Sequence, residues 1–545
     1  MDKRILLTAA SSMMLACGVA GLTPAAASNP KSCAHLVNLS LPNTTIVSAV
    51  KIPAGPFLSV PGTTTTAPTC SSDIASPNLP AFCRVTAQVS EPSAAEPITF
   101  EVWLPLFTWN GKFQGLGNHG FAGTIEYSDM GPELVKGYAV AGTDTGHAGG
   151  SATAWMQNGQ QIIDYGYLGI HEMTEKSKAI VKAFYGQAPN YSYFNGCSTG
   201  GKEGLMEAQR YPDDYDGINV AGSANFAQIH NRVQYVWDGQ STFGNAATPL
   251  PLAKLTLVNN AAIAACDAND GVADGLIDDP LTCNFQPSSL LCSSGQDTST
   301  CLTANEVTAV EKVYAGPRAK HKEIYPGYAP GTELGWGSGA ASTGPGVSTA
   351  DTFFKYMVYN NPSWDFKTFN FAREVPTTDN RFSTLLDATS PDLTAFKKRH
   401  GKLLFSHAWN ASTHTATRSL EYYDQVVSFM NGGKNNLHVR DFAETQEFFR
   451  FFLVPGGAGS KAPSKYDSMP ALEAWVEHGI APTKIIGHHA TSGVVDRTRP
   501  ICPYPETAVY KGSGSIDDAQ NFKCQKPLAV INYFKKNGPP LDDVF

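Results

Sequence analysis

The chain has 545 residues, 16% of them charged, and a formal net charge of −8. That length exceeds one simple core and calls for a main domain with a large insertion, or for two domains. The negative balance, without any basic cluster, argues against nucleic acid or an anionic membrane surface as partner and leaves a small molecule.

The first residues read as an export signal over 1–27. Asp2-Lys3-Arg4 is the charged start, Ile5 to Ala20 is largely apolar, and Thr23 to Ala27 offers small residues for cleavage before Ser28. Cys17 in "MMLACG" is a weak lipoprotein-anchor alternative. No later stretch is apolar for long enough to span a bilayer. Ten of the eleven cysteines follow the signal. Cys266 with Cys283, Cys292 with Cys301 and Cys502 with Cys524 are short-range couples, and Cys33 with Cys83 closes the N-terminal segment. Such spacing in an exported chain reads as disulfide staples and a periplasmic or secreted location. Cys70 and Cys197 are left without evident partners.

A strand is expected at 98–104, a strand running into a glycine-rich loop at 111–123, a strand and polar turn at 137–150, and strands at 191–196 and 216–222; helices are expected at 171–186, ended by Gly186, and 202–212, stopped by Pro212. That alternation implies a parallel sheet covered on both faces. It lapses after about residue 223. It resumes with a strand at 401–409, a helix at 418–431, a strand at 448–456 and a helix at 470–479. The expected organisation is core 28–222, lid 223–400 and core again 401–545.

Gly196-Cys197-Ser198-Thr199-Gly200 is a G-x-S-x-G stretch following an expected strand and opening an expected helix. That context makes Ser198 a nucleophile at a tight elbow. The backbone N–H of Thr199 and the loop Gly117-Asn118-His119-Gly120 are then the expected oxyanion donors. The alternative for that loop is an ordinary strand-exit turn. In "CDANDGVADGLIDDPLTC" (266–283), Asp267, Asp270, Asp274 and Asp278 alternate with Gly271 and Gly275. Oxygen donors on a glycine-kinked loop suit a structural Ca2+; the alternative is a merely acidic turn.

Together with "FEVWLP", "GTDTGH", "NGCSTGGKEGL", "QRYPDDYDGI", "FFLVPG", "RTRPICPYP" and "YKGSGSIDDAQNF", these stretches resemble the tannase/feruloyl esterase family of α/β-hydrolases. The resemblance implies an α/β-hydrolase core with a large inserted calcium-binding lid domain. It implies ester hydrolysis of aromatic acid esters by Ser, His and Asp. It places the calcium ligands on the side chains of Asp267, Asp270 and Asp274 and the carbonyls of Val272 and Leu276.

The same resemblance exposes a gap. The family's catalytic Asp falls on Ala411, its His on Gly459, and the cysteine that bonds the one before the nucleophile falls on Ser460. Without its base Ser198 keeps its proton, and hydrolysis by the family route is crippled. His119 stands where the loop is expected to carry glycine and is the best substitute acid or base. His407, His414, His488-His489 and His147 are weaker candidates. Three readings follow: an esterase-family protein acting on an aromatic or phenolic ester through a degenerate site, a non-hydrolytic lyase, isomerase or cyclase using the oxyanion loop and His119, or a small-molecule binding protein without catalysis.

Overall fold

The computed structural model describes residues 32–64, 78–150, 153–222, 226–243, 250–320, 322–336, 345–432, 442–456 and 461–525. Nine strands form the central sheet: β1 (Thr44–Ile52), β2 (Phe82–Val89), β3 (Ile98–Pro105), β4 (Lys112–Leu116), β5 (Ala139–Thr143), β6 (Tyr191–Cys197), β7 (Gly217–Ala221), β8 (Lys402–Ala408) and β9 (Phe449–Val454). Their spatial order is β1-β2-β3-β5-β4-β6-β7-β8-β9. The first three and the β3–β5 pair run antiparallel. All neighbours from β5 to β9 are parallel.

The parallel strands are short apolar runs such as "KLLFSHA" and "FRFFLV", buried on both faces because helices cover both. Helices α1 (Tyr127–Val135), α2 (Gly169–Tyr185), α3 (Thr199–Arg210), α8 (Ala416–Met430) and α9 (Met469–His478) flank the sheet. Gly186 ends α2 in the left-handed conformation at φ 77°, as its position just past the last apolar turn predicts. Between β7 and β8 the described residues add no strand to this sheet. They supply α4 (Gln228–Asp238), α5 (Leu252–Cys266), α6 (Ala304–Ala315) and α7 (Phe371–Leu386). Phe353, Phe354, Trp364, Phe369 and Phe382 of this stretch pack with Ile229, Val233 and Tyr235 of α4. The same cluster reaches Phe121 and Trp155 from the core side.

Several observed elements fall outside the expected set, β2 (Phe82–Val89) and the helices α4 to α7 among them. Helix α3 begins at Thr199 rather than Lys202, with Ser198 itself as its N-cap. Strand β1 was not foreseen, since an edge strand with only Ile46 fully buried lacks an apolar alternation to read.

Disulfides join Cys33–Cys83, Cys266–Cys283, Cys292–Cys301 and Cys502–Cys524, as the spacing predicts. The expectation that Cys197 lacks a partner is corrected: Cys197 is disulfide-bonded. Its partner lies outside the described residues, as do Cys17 and Cys70. Spacing along the chain could not reveal a bond between distant segments. Among the described residues, no helix is long and apolar enough to cross a membrane. The signal segment 1–27 lies outside them.

Candidate active site

Strand β6 delivers Ser198 directly to α3, and the backbone at Ser198 takes φ 55° and ψ −119°. A non-glycine residue in this region costs roughly 1–3 kcal/mol and persists only where its surroundings impose it. Here three glycines impose it. A Cβ at Gly196 would lie 2.5 Å from the Gly200 carbonyl oxygen, one at Gly200 2.9 Å from Gly117 Cα, and one at Gly117 2.4 Å from Gly200 Cα. The loop leaving β4 therefore lies backbone-to-backbone on the elbow, an approach that side chains would prevent.

Hydrogen bonds fasten that loop at two points. Gly200 N–H donates to Asn118 O at 2.7 Å, and Thr199 Oγ1 donates to Gly120 O at 2.6 Å. The Asn118 side chain donates to Thr124 O (2.8 Å) and Thr143 O (2.7 Å). The expected oxyanion set needs correction here. Gly117 N–H is committed to Asn195 O at 3.1 Å, and Asn118 N–H to the buried Glu203 Oε2 at 2.9 Å. Both residues shape the loop instead of offering amides to a ligand. Gly120 N–H makes no hydrogen bond among the described residues, and a Cβ there would meet nothing within 4 Å. Thr199 N–H stands at the positive end of α3.

His119 sits between the two fastened residues. Its Nε2 lies 3.2 Å from Oδ2 of Asp129, a carboxylate buried in the first turn of α1. Burial opposes charging the ring. The Asp129 hydrogen bond and the carboxylates of Glu126, Asp129 and Glu203 outweigh it and raise the His119 pKa above 6.5. Asp129 was missed from sequence, because ten residues separate it from His119 with no periodic relation. Only the turn of the chain into α1 brings them together.

The other histidines are engaged elsewhere. His407 is fully buried on β8, bonded to Ser419 Oγ (2.8 Å) and His414 O (3.0 Å), and burial lowers its pKa to about 4. His147 bonds Phe121 O at 2.8 Å and stacks on Trp155, so it braces the loop after β4. His489 pairs with Asp496 on a separate hairpin. Ala411 lies in the loop after β8, while Gly459 and Ser460 lie outside the described residues.

In the aspartate loop the side chains first organise the backbone. Asp267 accepts from the amides of Asp274 (2.9 Å) and Gly275 (3.0 Å), Asp270 from Val272 (2.9 Å), and Asp274 from Leu276 (3.2 Å). Arg499 binds the Asp274 carboxylate, and Arg497 donates to Asp274 O at 3.1 Å. Asp278 is buried, and among the described residues neither of its oxygens has a hydrogen-bond partner. Burial, with the Asp270 and Asp274 carboxylates adding to it against Arg499, pushes Asp278 up to about 8. An all-oxygen donor set beside an unsatisfied buried carboxylate fits a hard dication. The three expected side-chain ligands do not gather as tightly as a metal cluster. Among the described residues only His171, Glu207 and Asp214 bring three such groups within 4.8 Å of one another.

Comparison with known proteins agrees with this geometry. The family model for tannase and feruloyl esterase matches residues 83–525. An uncharacterized esterase of Xanthomonas campestris is 38% identical, covering 92% of each chain. Feruloyl esterase B of Aspergillus niger is 30% identical, covering 89% of this chain and 94% of that one. The crystal structure of feruloyl esterase B from Aspergillus oryzae superposes with a TM-score of 0.80 at 28% identity, covering 90% and 98%. A fold with an elbow serine, a loop packed on it through glycine backbones and this extent of likeness has one reading: the chain belongs to the tannase and feruloyl esterase family.

Proposed function

We propose that this protein cleaves a small aromatic or phenolic ester at Ser198, with His119 as acid and base and Asp129 as the carboxylate that orients it. The observation carrying this reading is the His119–Asp129 pair on a loop hydrogen-bonded to the elbow on both sides of His119. In the proposed sequence Ser198 Oγ attacks the ester carbonyl and passes its proton to His119. Thr199 N–H and Gly120 N–H hold the oxyanion. The alkoxy group leaves with the His119 proton, and water then splits the acyl-serine by the same transfers in reverse. Asp129 stabilises the imidazolium, as a buried carboxylate does in other serine hydrolases. The relatives named as feruloyl esterases support the aromatic acyl group.

A structural Ca2+ belongs to the same proposal, held by Asp267, Asp270 and Asp274 with the carbonyls of Val272 and Leu276. It would fix the loop that Cys266–Cys283 closes and take no part in proton transfer. An inserted lid over 223–400 and export to the periplasm or beyond complete it, and the disulfides support the latter.

The test is covalent labelling by a fluorophosphonate, read as intact mass, beside turnover of aryl esters. Labelling at Ser198 is expected, with turnover falling about 10²–10⁴-fold on His119→Ala. Turnover unchanged in folded His119→Ala protein refutes the assignment.

A further inference from the structure

Glu207 lies on α3, about 12 Å along the helix from Thr199 and so away from the elbow. It is 1% exposed, and among the described residues neither of its carboxylate oxygens has a hydrogen-bond partner. What faces it is a second carboxylate, that of Asp214 in the turn before β7, together with the imidazole of His171 in the first turn of α2. One ligating atom from each of the three lies within 4.8 Å of the other two. No lysine or arginine is within ion-pair range of either carboxylate among the described residues. Lys178 gives its ammonium to the Asp214 backbone carbonyl instead. Two carboxylates do not face each other out of water unless a proton or a cation stands between them.

The donors favour a cation. A shared proton serves one oxygen of Glu207 and leaves the other bare in the interior, whereas a metal ion can take both. The third group decides the kind of ion. His171 Nδ1 lies 2.7 Å from Asp214 Oδ2, so nitrogen and carboxylates converge on one point. The ring is held for that role. It stacks on Tyr211 with centroids 3.7 Å apart and planes 9° from parallel. Its other nitrogen, Nε2, lies 3.9 Å from the exposed Glu175 carboxylate, the side on which ligating histidines commonly carry a carboxylate or water. Imidazole beside carboxylates suits zinc and its transition-metal neighbours, not Ca2+ or Mg2+, which take oxygen alone. The His171 and Asp214 side chains are 18% and 8% exposed, which gives an ion a way in and leaves its remaining position to water. Uptake displaces the proton that Nδ1 shares with Asp214 and releases it to solvent.

We propose that His171, Glu207 and Asp214 form a structural site for one divalent transition-metal ion of the zinc class. Its ligands come from α2, α3 and the turn that enters β7, so the ion ties both helices to the sheet near the end of α3 remote from Ser198. It shares no ligand with the aspartate loop and takes no part in ester cleavage. The proposal therefore stands independently of the hydrolytic reading.

Zinc itself is the probe. The full protein is stripped with EDTA, returned to excess Ca2+ so that any site in the aspartate loop is saturated, and titrated with Zn2+ by calorimetry and by melting temperature. Uptake with a raised melting temperature is expected, and Mg2+ in place of Zn2+ should give neither. Glu207→Gln keeps the shape of the side chain and removes its charge; His171→Asn removes the imidazole at the rim. Each should weaken one equivalent of Zn2+ at least about tenfold and lose the zinc-dependent gain in melting temperature. Zn2+ failing to bind the Ca2+-saturated wild type overturns the proposal. So does Zn2+ affinity unchanged in either folded variant, which would put the ion at another histidine. Should Glu207→Gln not fold, the wild-type titration and His171→Asn still decide. Wild type and Glu207→Gln melting alike with and without Zn2+ would mark a shared proton alone and also overturn it.

Discussion

Gly117→Ala strikes the contact on which the site is built. The added methyl would lie 2.4 Å from Gly200 Cα and 3.1 Å from both Gly200 C and Glu203 Oε2. Carbon atoms rest about 3.5–4.0 Å apart, so the loop must retreat by about 1 Å. Gly200 cannot yield, because it lies in the first turn of α3, two residues after Ser198. The retreat stretches the Gly200–Asn118 and Thr199–Gly120 hydrogen bonds. Overpacking at about 1–3 kcal/mol and two weakened bonds at about 1 kcal/mol each give a loss of about 3–5 kcal/mol. A displacement of that size at the oxyanion loop also slows acylation about 10²-fold. The comparison variant is Gly120→Ala, where φ is +56° and the new methyl meets nothing. Backbone strain alone should then cost about 1–2 kcal/mol. Urea unfolding and the rate of fluorophosphonate labelling read the two quantities. Gly117→Ala no less stable than Gly120→Ala refutes the backbone-contact argument.

Ser198→Gly should raise stability by about 1 kcal/mol, since glycine accepts φ 55° without strain, while labelling disappears; a denaturation midpoint at or below wild type contradicts the strain. Asp129→Asn removes the hydrogen bond and one of the three carboxylates that raise the His119 pKa, so the ring stays neutral to lower pH. NMR titration of His119 should show a lower pKa, and the rising limb of kcat/KM against pH should move to lower pH with a reduced plateau. A limb that moves up or stays would exclude the pair. The sign for stability follows from linkage: His119, raised in the folded state, contributes below its unfolded pKa and loses that contribution as pH rises through the folded value. In Asp129→Asn that pH dependence should flatten. Chelation with EGTA should lower the melting temperature and added Ca2+ restore it, with both effects lost in Asp274→Ala; a melt indifferent to EGTA leaves the loop without its ion.

The local sequence determined the parts of the fold that carry their own pattern. Apolar runs became β6 to β9, Gly186 ended α2, and the couples Cys266–Cys283, Cys292–Cys301 and Cys502–Cys524 closed because few residues separate them. Ser198 at an elbow was legible because glycines on either side of a serine, between a strand and a helix, allow little else. Tertiary structure alone decided the rest. Cys197 is bonded to a distant segment, Glu203 takes the Asn118 amide, and Asp129 meets His119 through the start of a helix. His171, Glu207 and Asp214 converge only once α2 has packed against α3. Each of these is a relation between segments with no fixed spacing, and burial, which gives a polar group its chemistry, exists only when those segments have packed.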